Sequence, residues 1–156
     1  MAKYSTTIAG AAASTNSAAP NALITATATG AGSALGLYEL SLSGEASSSG
    51  FVRMVLNRPS AQSLSTGAQV PQPLHPASAA AAYAVLLGPT GTCTPGTVNL
   101  LMPAFNAFGG VYTWLAGPGG EIIIGTQGTS VPAQNLILYS LSGTSTISGH
   151  ILIEQY

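Results

Sequence analysis

The stretch Leu35-Gly36-Leu37-Tyr38-Glu39-Leu40-Ser41-Leu42-Ser43, followed after the turn Gly44–Gly50 by Phe51-Val52-Arg53-Met54-Val55-Leu56-Asn57, decides the fold. Both segments alternate along the chain with the two-residue period of a half-buried strand. In the second, Val52, Met54 and Leu56 share one face, and Arg53 and Asn57 share the other. In the first, the apolar positions switch from odd (Leu35, Leu37) to even (Tyr38, Leu40, Leu42), as an extra residue at a β-bulge would make them do.

The same period extends on both sides. Upstream, Leu23 to Thr29 alternates small apolar residues with threonine and is closed by Gly30, which predicts an edge strand. Downstream, strands are expected at Thr97–Met102, Gly110–Ala116, Glu121–Gly125, Asn135–Ser142 and Ile147–Tyr156. Ala79–Leu87 has helical propensity, but the neighbouring strands and the turn Gly88-Pro89-Thr90-Gly91 favour a strand there. In Gly117-Pro118-Gly119-Gly120 the proline presets φ and a glycine accepts positive φ. Eight or nine short strands among 19 glycines and 10 prolines, with no helix, predict an all-β antiparallel sandwich of jelly-roll type.

Two segments look different. Residues 1–20 are mostly Ala, Ser, Thr and Gly, with Ile8 the only large branched aliphatic residue. They are expected to form an extended N-terminal arm held by a neighbouring molecule, with residues 21–156 as the sandwich domain. Residues 58–78 are punctuated by Pro59, Pro71, Pro73 and Pro76 and are expected to form a long loop carrying contacts.

Charge is nearly absent. Three Lys and Arg and four Glu are the only formally charged side chains among 156, and there is no aspartate. An average domain carries about 25% charged residues; this chain has 4%. Mixed surface charge normally keeps copies of a protein apart. A chain without it is expected to be a subunit whose surface is covered by neighbours. Three basic residues cannot track a phosphate backbone, which argues against nucleic-acid binding. No run reaches the ~18–20 apolar residues of a membrane-spanning helix. The opening residues lack the apolar core of a signal peptide, and synthesis in the cytoplasm without export is expected.

The chemistry-bearing residues are sparse. Cys93 is the only cysteine and reads as a small buried hydrophobe. His150 and Glu154, four apart on one strand, lie about 13 Å from each other and cannot share a metal. Serines are plentiful, but no Gly-x-Ser-x-Gly elbow exists and only His75 and His150 are available as bases. No enzyme activity, metal or cofactor is expected. The residues singled out for contacts with partners are Tyr4, Ile8, Arg53, Arg58, Leu74, His75 and Trp114. Trp114 reads as a core or interface anchor, since Tyr112, Trp114 and Ala116 share a strand face opposite Val111 and Leu115.

Three segments carry a likeness: Phe105–Trp114, Pro118–Ile122 and Ser148–Glu154. In their order of strands and turns they resemble the small jelly-roll decoration, or cement, proteins on the heads of tailed double-stranded DNA bacteriophages. The resemblance implies a structural virion protein on the capsid exterior. It would bind the major capsid protein, clamp adjacent capsid subunits and self-associate as a dimer or trimer. A different class is also compatible with the residues: a trimeric receptor- or glycan-binding sandwich, such as a tail-fibre tip, using the aromatic side chains.

Overall fold

A computed structural model describes residues 2–12, 20–26, 35–65, 68–69, 71–78, 81, 83–125, 131–142 and 146–156. Among them the strands are β1 (Ala2–Ala12), β2 (Ala22–Ala26), β3 (Leu35–Glu45), β4 (Phe51–Ser65), β5 (Ala68–Gln69), β6 (Gln72–Pro73) and β7 (Tyr83–Leu87). They continue with β8 (Thr90–Leu101), β9 (Ala104–Asn106), β10 (Phe108–Leu115), β11 (Ile122–Ile124), β12 (Leu136–Ser142) and β13 (Thr146–Gln155), and Pro132–Gln134 form one 3₁₀ turn. The molecule is an all-β sandwich of two antiparallel sheets. The first sheet runs β10-β3-β13-β1-β6, with β11 also beside β3; the second runs β5-β7-β2-β12-β4-β8, with β9 beside β4.

Eight of these strands pair in a nested way. β1 pairs with β13, β2 with β12, β3 with β10 and β4 with β8. β13 then adds to β3, and β12 to β4. The chain behaves as one long antiparallel ribbon whose strand pairs have been rolled over each other into two layers.

Period-2 alternation directs one face of each sheet inward. Ile24, Val52, Met54, Leu56, Leu136 and Leu138 from the second sheet meet Tyr4, Ile8, Leu37, Leu40, Leu42, Ile147, Ile151 and Ile153 from the first. All are essentially inaccessible, and burying each large aliphatic side chain is worth roughly 1.5–3 kcal/mol. The bulge expected in β3 is present: Leu152 faces Glu39 while Ile153 faces Leu37, so Tyr38 is the extra residue. The turn at Gly117–Gly120 also forms as expected, with Gly119 at φ +74° and the Gly120 N–H donating to the Gly117 carbonyl at 2.8 Å.

A second apolar cluster lies on the opposite face of the second sheet, where Leu23, Val55, Leu86, Ile137 and Tyr139 gather around Cys93. The register of β4 against β8 shifts at Leu56/Asn57, Asn57/Pro59 and Pro59/Ala61. These shifts bend the ribbon, and its distal half brings Cys93 down onto that face. Cys93 is therefore a buried free thiol, and burial pushes its pKa up to about 11.

Three sequence expectations are corrected. β2, expected as an edge strand, lies between β7 and β12 inside the second sheet. Residues 2–12 are not an arm: β1 lies between β13 and β6 inside the first sheet, and its Tyr4 and Ile8 side chains enter the core. A segment with few apolar residues can be a central strand when the inward positions alone are large. Residues 13–19 of the expected arm lie outside the described residues. The expected loop 58–78 is likewise shorter, because β4 continues through Pro59 to Ser65 and is accompanied across its irregularities by β8. Beyond β4 the chain adds the two-residue strand β5 to the second sheet and β6 to the first. Of the segment 79–87, Tyr83–Leu87 is a strand as expected, and residues 79, 80 and 82 lie outside the described residues.

Candidate interaction surface

The first sheet turns its other face to solvent. On β3 and β13 the alternation that sends Leu40, Leu42, Ile151 and Ile153 inward sends Glu39, Ser41, His150 and Glu154 outward. The register places Leu152 opposite Glu39 and His150 opposite Ser41. The outcome is an ion-pair geometry between His150 Nε2 and Glu39 Oε1 at 2.8 Å. On the other side of β13, Lys3 lies opposite Glu154. The Lys3 ammonium sits 4.8 Å from the centre of the Tyr38 ring, which reaches it from the bulge in β3. Partial burial raises the Tyr38 phenol pKa, and the Glu39 and Glu154 carboxylates add to that.

Lys3, Glu39, Glu154 and His150 thus form one polar strip from positions far apart in the chain. Beside it is an open depression of about 450 Å³ lined by Ala2, Lys3, Leu74, His75, Ser78 and Glu154. The turn that carries Leu74 and His75 is anchored there: the Leu74 N–H donates to the Lys3 carbonyl at 2.9 Å, and His75 Nδ1 accepts from the Ala77 N–H at 3.2 Å. Leu74 and His75 are exposed.

The remaining expected contact residues are distributed differently. Tyr4 and Ile8 are buried in the protein's own core, Tyr4 edge-to-face with Tyr83 at 6.0 Å, so neither is available to a partner. Arg53 is exposed on β4 with its guanidinium 5.6 Å from the Phe51 ring. Arg58 is half-buried and bonded to main chain: Nη2 donates to the Ile123 carbonyl at 2.6 Å and Nη1 to that of Ala133 at 3.4 Å. It ties β11 and the 3₁₀ turn to β4, and its loss of water lowers its pKa. Trp114 and Tyr112 are half-buried and pack against the core from β10.

The chemistry of the strip is limited by its own bonds. His150 engages Glu39, and the Ser41 hydroxyl opposite it is bonded to Thr113 Oγ1 at 3.2 Å. Among the described residues no three His, Cys, Asp or Glu side chains come together to hold a metal ion. No helix there is long and apolar enough to cross a membrane. Beyond the strip, the same sheet exposes Phe108, Val111, Leu115 and Ile123 along β10 and β11. Comparison with protein-family models, curated proteins and solved structures returned no match to this chain.

The strip escaped the sequence reading because its members lie at positions 3, 39, 150 and 154. Alternation alone predicts that each points outward. Only the register of β1, β13 and β3 puts them beside one another.

Proposed function

We propose that this protein is a structural virion subunit, a decoration or cement protein that binds the outside of a phage head and braces its major capsid proteins. The sandwich is, in this reading, a jelly roll. The nested pairing of first strand with last supports that assignment, since two interleaved Greek keys rolled from one ribbon produce it.

One observation carries the functional reading. Apart from Glu45 at the end of β3, opposite Phe108, the charge on the first sheet is gathered into one strip, while the adjoining strand exposes Phe108, Val111 and Leu115 by 62%, 67% and 65%. Isolated exposed apolar side chains are ordinary, but a row of them on one strand marks a surface that another molecule covers. Subunit interfaces are depleted in Lys, Glu and Asp, and this chain has three Lys and Arg, four Glu and no Asp. The strip and the Leu74–His75 turn would fix orientation at such an interface, with catalysis, metal and cofactor playing no part.

The test is head stability. Heads produced without this chain are expected to rupture at lower temperature than complete heads, and the purified protein, added back, is expected to restore them. Unchanged rupture temperature counts against the reading.

A further inference from the structure

The first sheet ends at β10, and the order of residues along that edge is self-complementary. The Ala116 N–H donates to the Tyr38 carbonyl at 2.8 Å. Because main-chain groups of an antiparallel strand alternate sides, Trp114 and Tyr112 also direct theirs toward β3. The N–H and C=O groups of Val111, Thr113 and Leu115 therefore face away from the sheet. Among the described residues no strand pairs with β10 on that side.

Open edges invite pairing with another chain, and proteins usually blunt them with proline, charge or short length. The opposite end of this sheet is blunted: β6 is two residues long and contains Pro73, with Pro71 just before it. At the corresponding end of the second sheet, β8 contains Pro95. β10 is eight residues long and has neither a proline nor a charge; its one irregularity, a register shift between Phe108 and Val111, lies at the glycine end and leaves Val111–Leu115 in regular pairing with β3.

We propose that two copies of this chain pair antiparallel through β10, in the register that sets Thr113 opposite Thr113 of the second copy. The sequence Gly109-Gly110-Val111-Tyr112-Thr113-Trp114-Leu115-Ala116-Gly117 reads the same chemically in both directions about Thr113. A two-fold antiparallel pair requires this, because each residue meets its mirror position on the other strand. Val111 then meets Leu115 of the second copy on the exposed face. Tyr112 meets Trp114 of the second copy on the inner face, an aromatic cross-strand pair that closes the half-exposed rim of both cores. Gly109 and Gly110 meet Gly117 and Ala116 of the second copy, so nothing larger than a methyl group obstructs the ends.

The register also fits the hydrogen bonds. Val111, Thr113 and Leu115 are the residues whose main-chain groups face outward, and each meets another of the three. With no charge on the strand, like-charge repulsion does not oppose self-pairing. The inference adds self-association to the function proposed above, and it is tested on purified protein with no shell present. Its failure is therefore distinguishable from failure of the shell reading.

The experiment measures mass by sedimentation equilibrium across a concentration series. The wild-type chain is expected at twice its 15.5 kDa. Val111→Lys with Leu115→Lys places lysines opposite lysines and is expected to weaken the dimer at least tenfold. Val111→Lys with Leu115→Glu places each new lysine opposite a new glutamate and is expected to restore it. Both side chains are exposed, and circular dichroism verifies that the fold is kept. A monomeric wild type, a double-lysine variant that associates as well as wild type, or a lysine–glutamate variant as weak as the double lysine would overturn the proposal.

Discussion

The side-chain amide of Asn57, fully buried on β4, clasps the main chain of Gly96 on β8 from both sides. Asn57 Nδ2 donates to the Gly96 carbonyl at 3.1 Å, and the Gly96 N–H donates to Asn57 Oδ1 at 2.9 Å. Asn57 Nδ2 also donates to Asn99 Oδ1 at 2.9 Å. The clasp lies where Pro59 faces Pro95 and neither ring nitrogen can donate to the ladder. The amide supplies main-chain partners that the bent strands lose. A Cβ on Gly96 would come within 2.5 Å of the Arg58 carbonyl oxygen, so only glycine allows this approach. Asn57→Leu leaves the Gly96 groups and Asn99 without those partners. Gly96 is partly exposed and Asn99 exposed, so water takes over the freed groups; at a net ~0.5–1.5 kcal/mol for each hydrogen bond lost, the expected loss is about 1–3 kcal/mol, read as a lowered urea midpoint.

Removing residues 2–12 is expected to abolish folding. The deletion exposes the β13 edge from Thr146 to Gln155 and takes Tyr4 and Ile8 out of the core. The measurement is the urea transition of the truncated chain. A cooperative transition like that of the intact protein would mean that β1 is dispensable, as an arm would be.

Tyr83 behaves as a hydrophobe with a burdensome hydroxyl. Its phenol is buried, and burial raises its pKa strongly. The Thr6 hydroxyl beside it is buried too and offsets part of that rise, but the two oxygens do not reach hydrogen-bond geometry. Tyr83→Phe and Thr6→Val together are expected to leave stability within about 1 kcal/mol of wild type or to raise it, since both polar atoms leave at once. Tyr83→Ala, which empties the site against Tyr4, is expected to cost about 3–5 kcal/mol. Thermal or urea unfolding of the two variants checks the contrast.

Alkaline pH is expected to weaken the fold through Cys93. Its thiol rises from 9.0 to about 11 on folding. The unfolded chain therefore releases this proton at a lower pH than the folded one. The thiol's contribution is intact below pH 9 and declines between pH 9 and 11, by on the order of 2 kcal/mol. The phenol of Tyr83, raised in the same sense, adds to the decline. Cys93→Ala should flatten the part due to the thiol in urea midpoints taken at pH 8 and pH 10.5. At pH 8 the native thiol should react with a disulfide reagent only as fast as the chain opens.

Arg58 is expected to hold β11 through the geometry of its fork and not through its charge. Its two guanidinium nitrogens reach two different carbonyls, Ile123 and Ala133, from one planar group. Arg58→Lys keeps the charge and loses the fork. Amide exchange at Ile122–Ile124 should quicken in this variant about as much as in Arg58→Ala. Protection equal to wild type in the lysine variant would show that charge suffices.

Alternation along each strand was legible because it is local. The bulge at Tyr38, the turn at Pro118-Gly119 and the inward faces of β4 and β13 stem from neighbouring residues alone. β1 was not legible as a strand. Its inward positions, Tyr4, Thr6 and Ile8, form a thin signal amid alanine and threonine, and the strand it needs lies at the other end of the chain. The course of β4 through Pro59 was hidden for a different reason. Proline argues against a central strand unless a bulge accommodates it, and the clasp that accommodates this one is made by Gly96, far along the chain. Of the surface, exposed Leu74 and His75 could be picked from a proline-rich turn. The Glu39–His150 pair and the Lys3–Tyr38 contact depend on register between strands and had no local signal.

Electron microscopy of heads produced with and without this chain tests the central claim most directly. The account expects added density on the outer surface of complete heads, obeying the shell's symmetry and seated over junctions between major capsid proteins. Identical outer surfaces in the two preparations would contradict it.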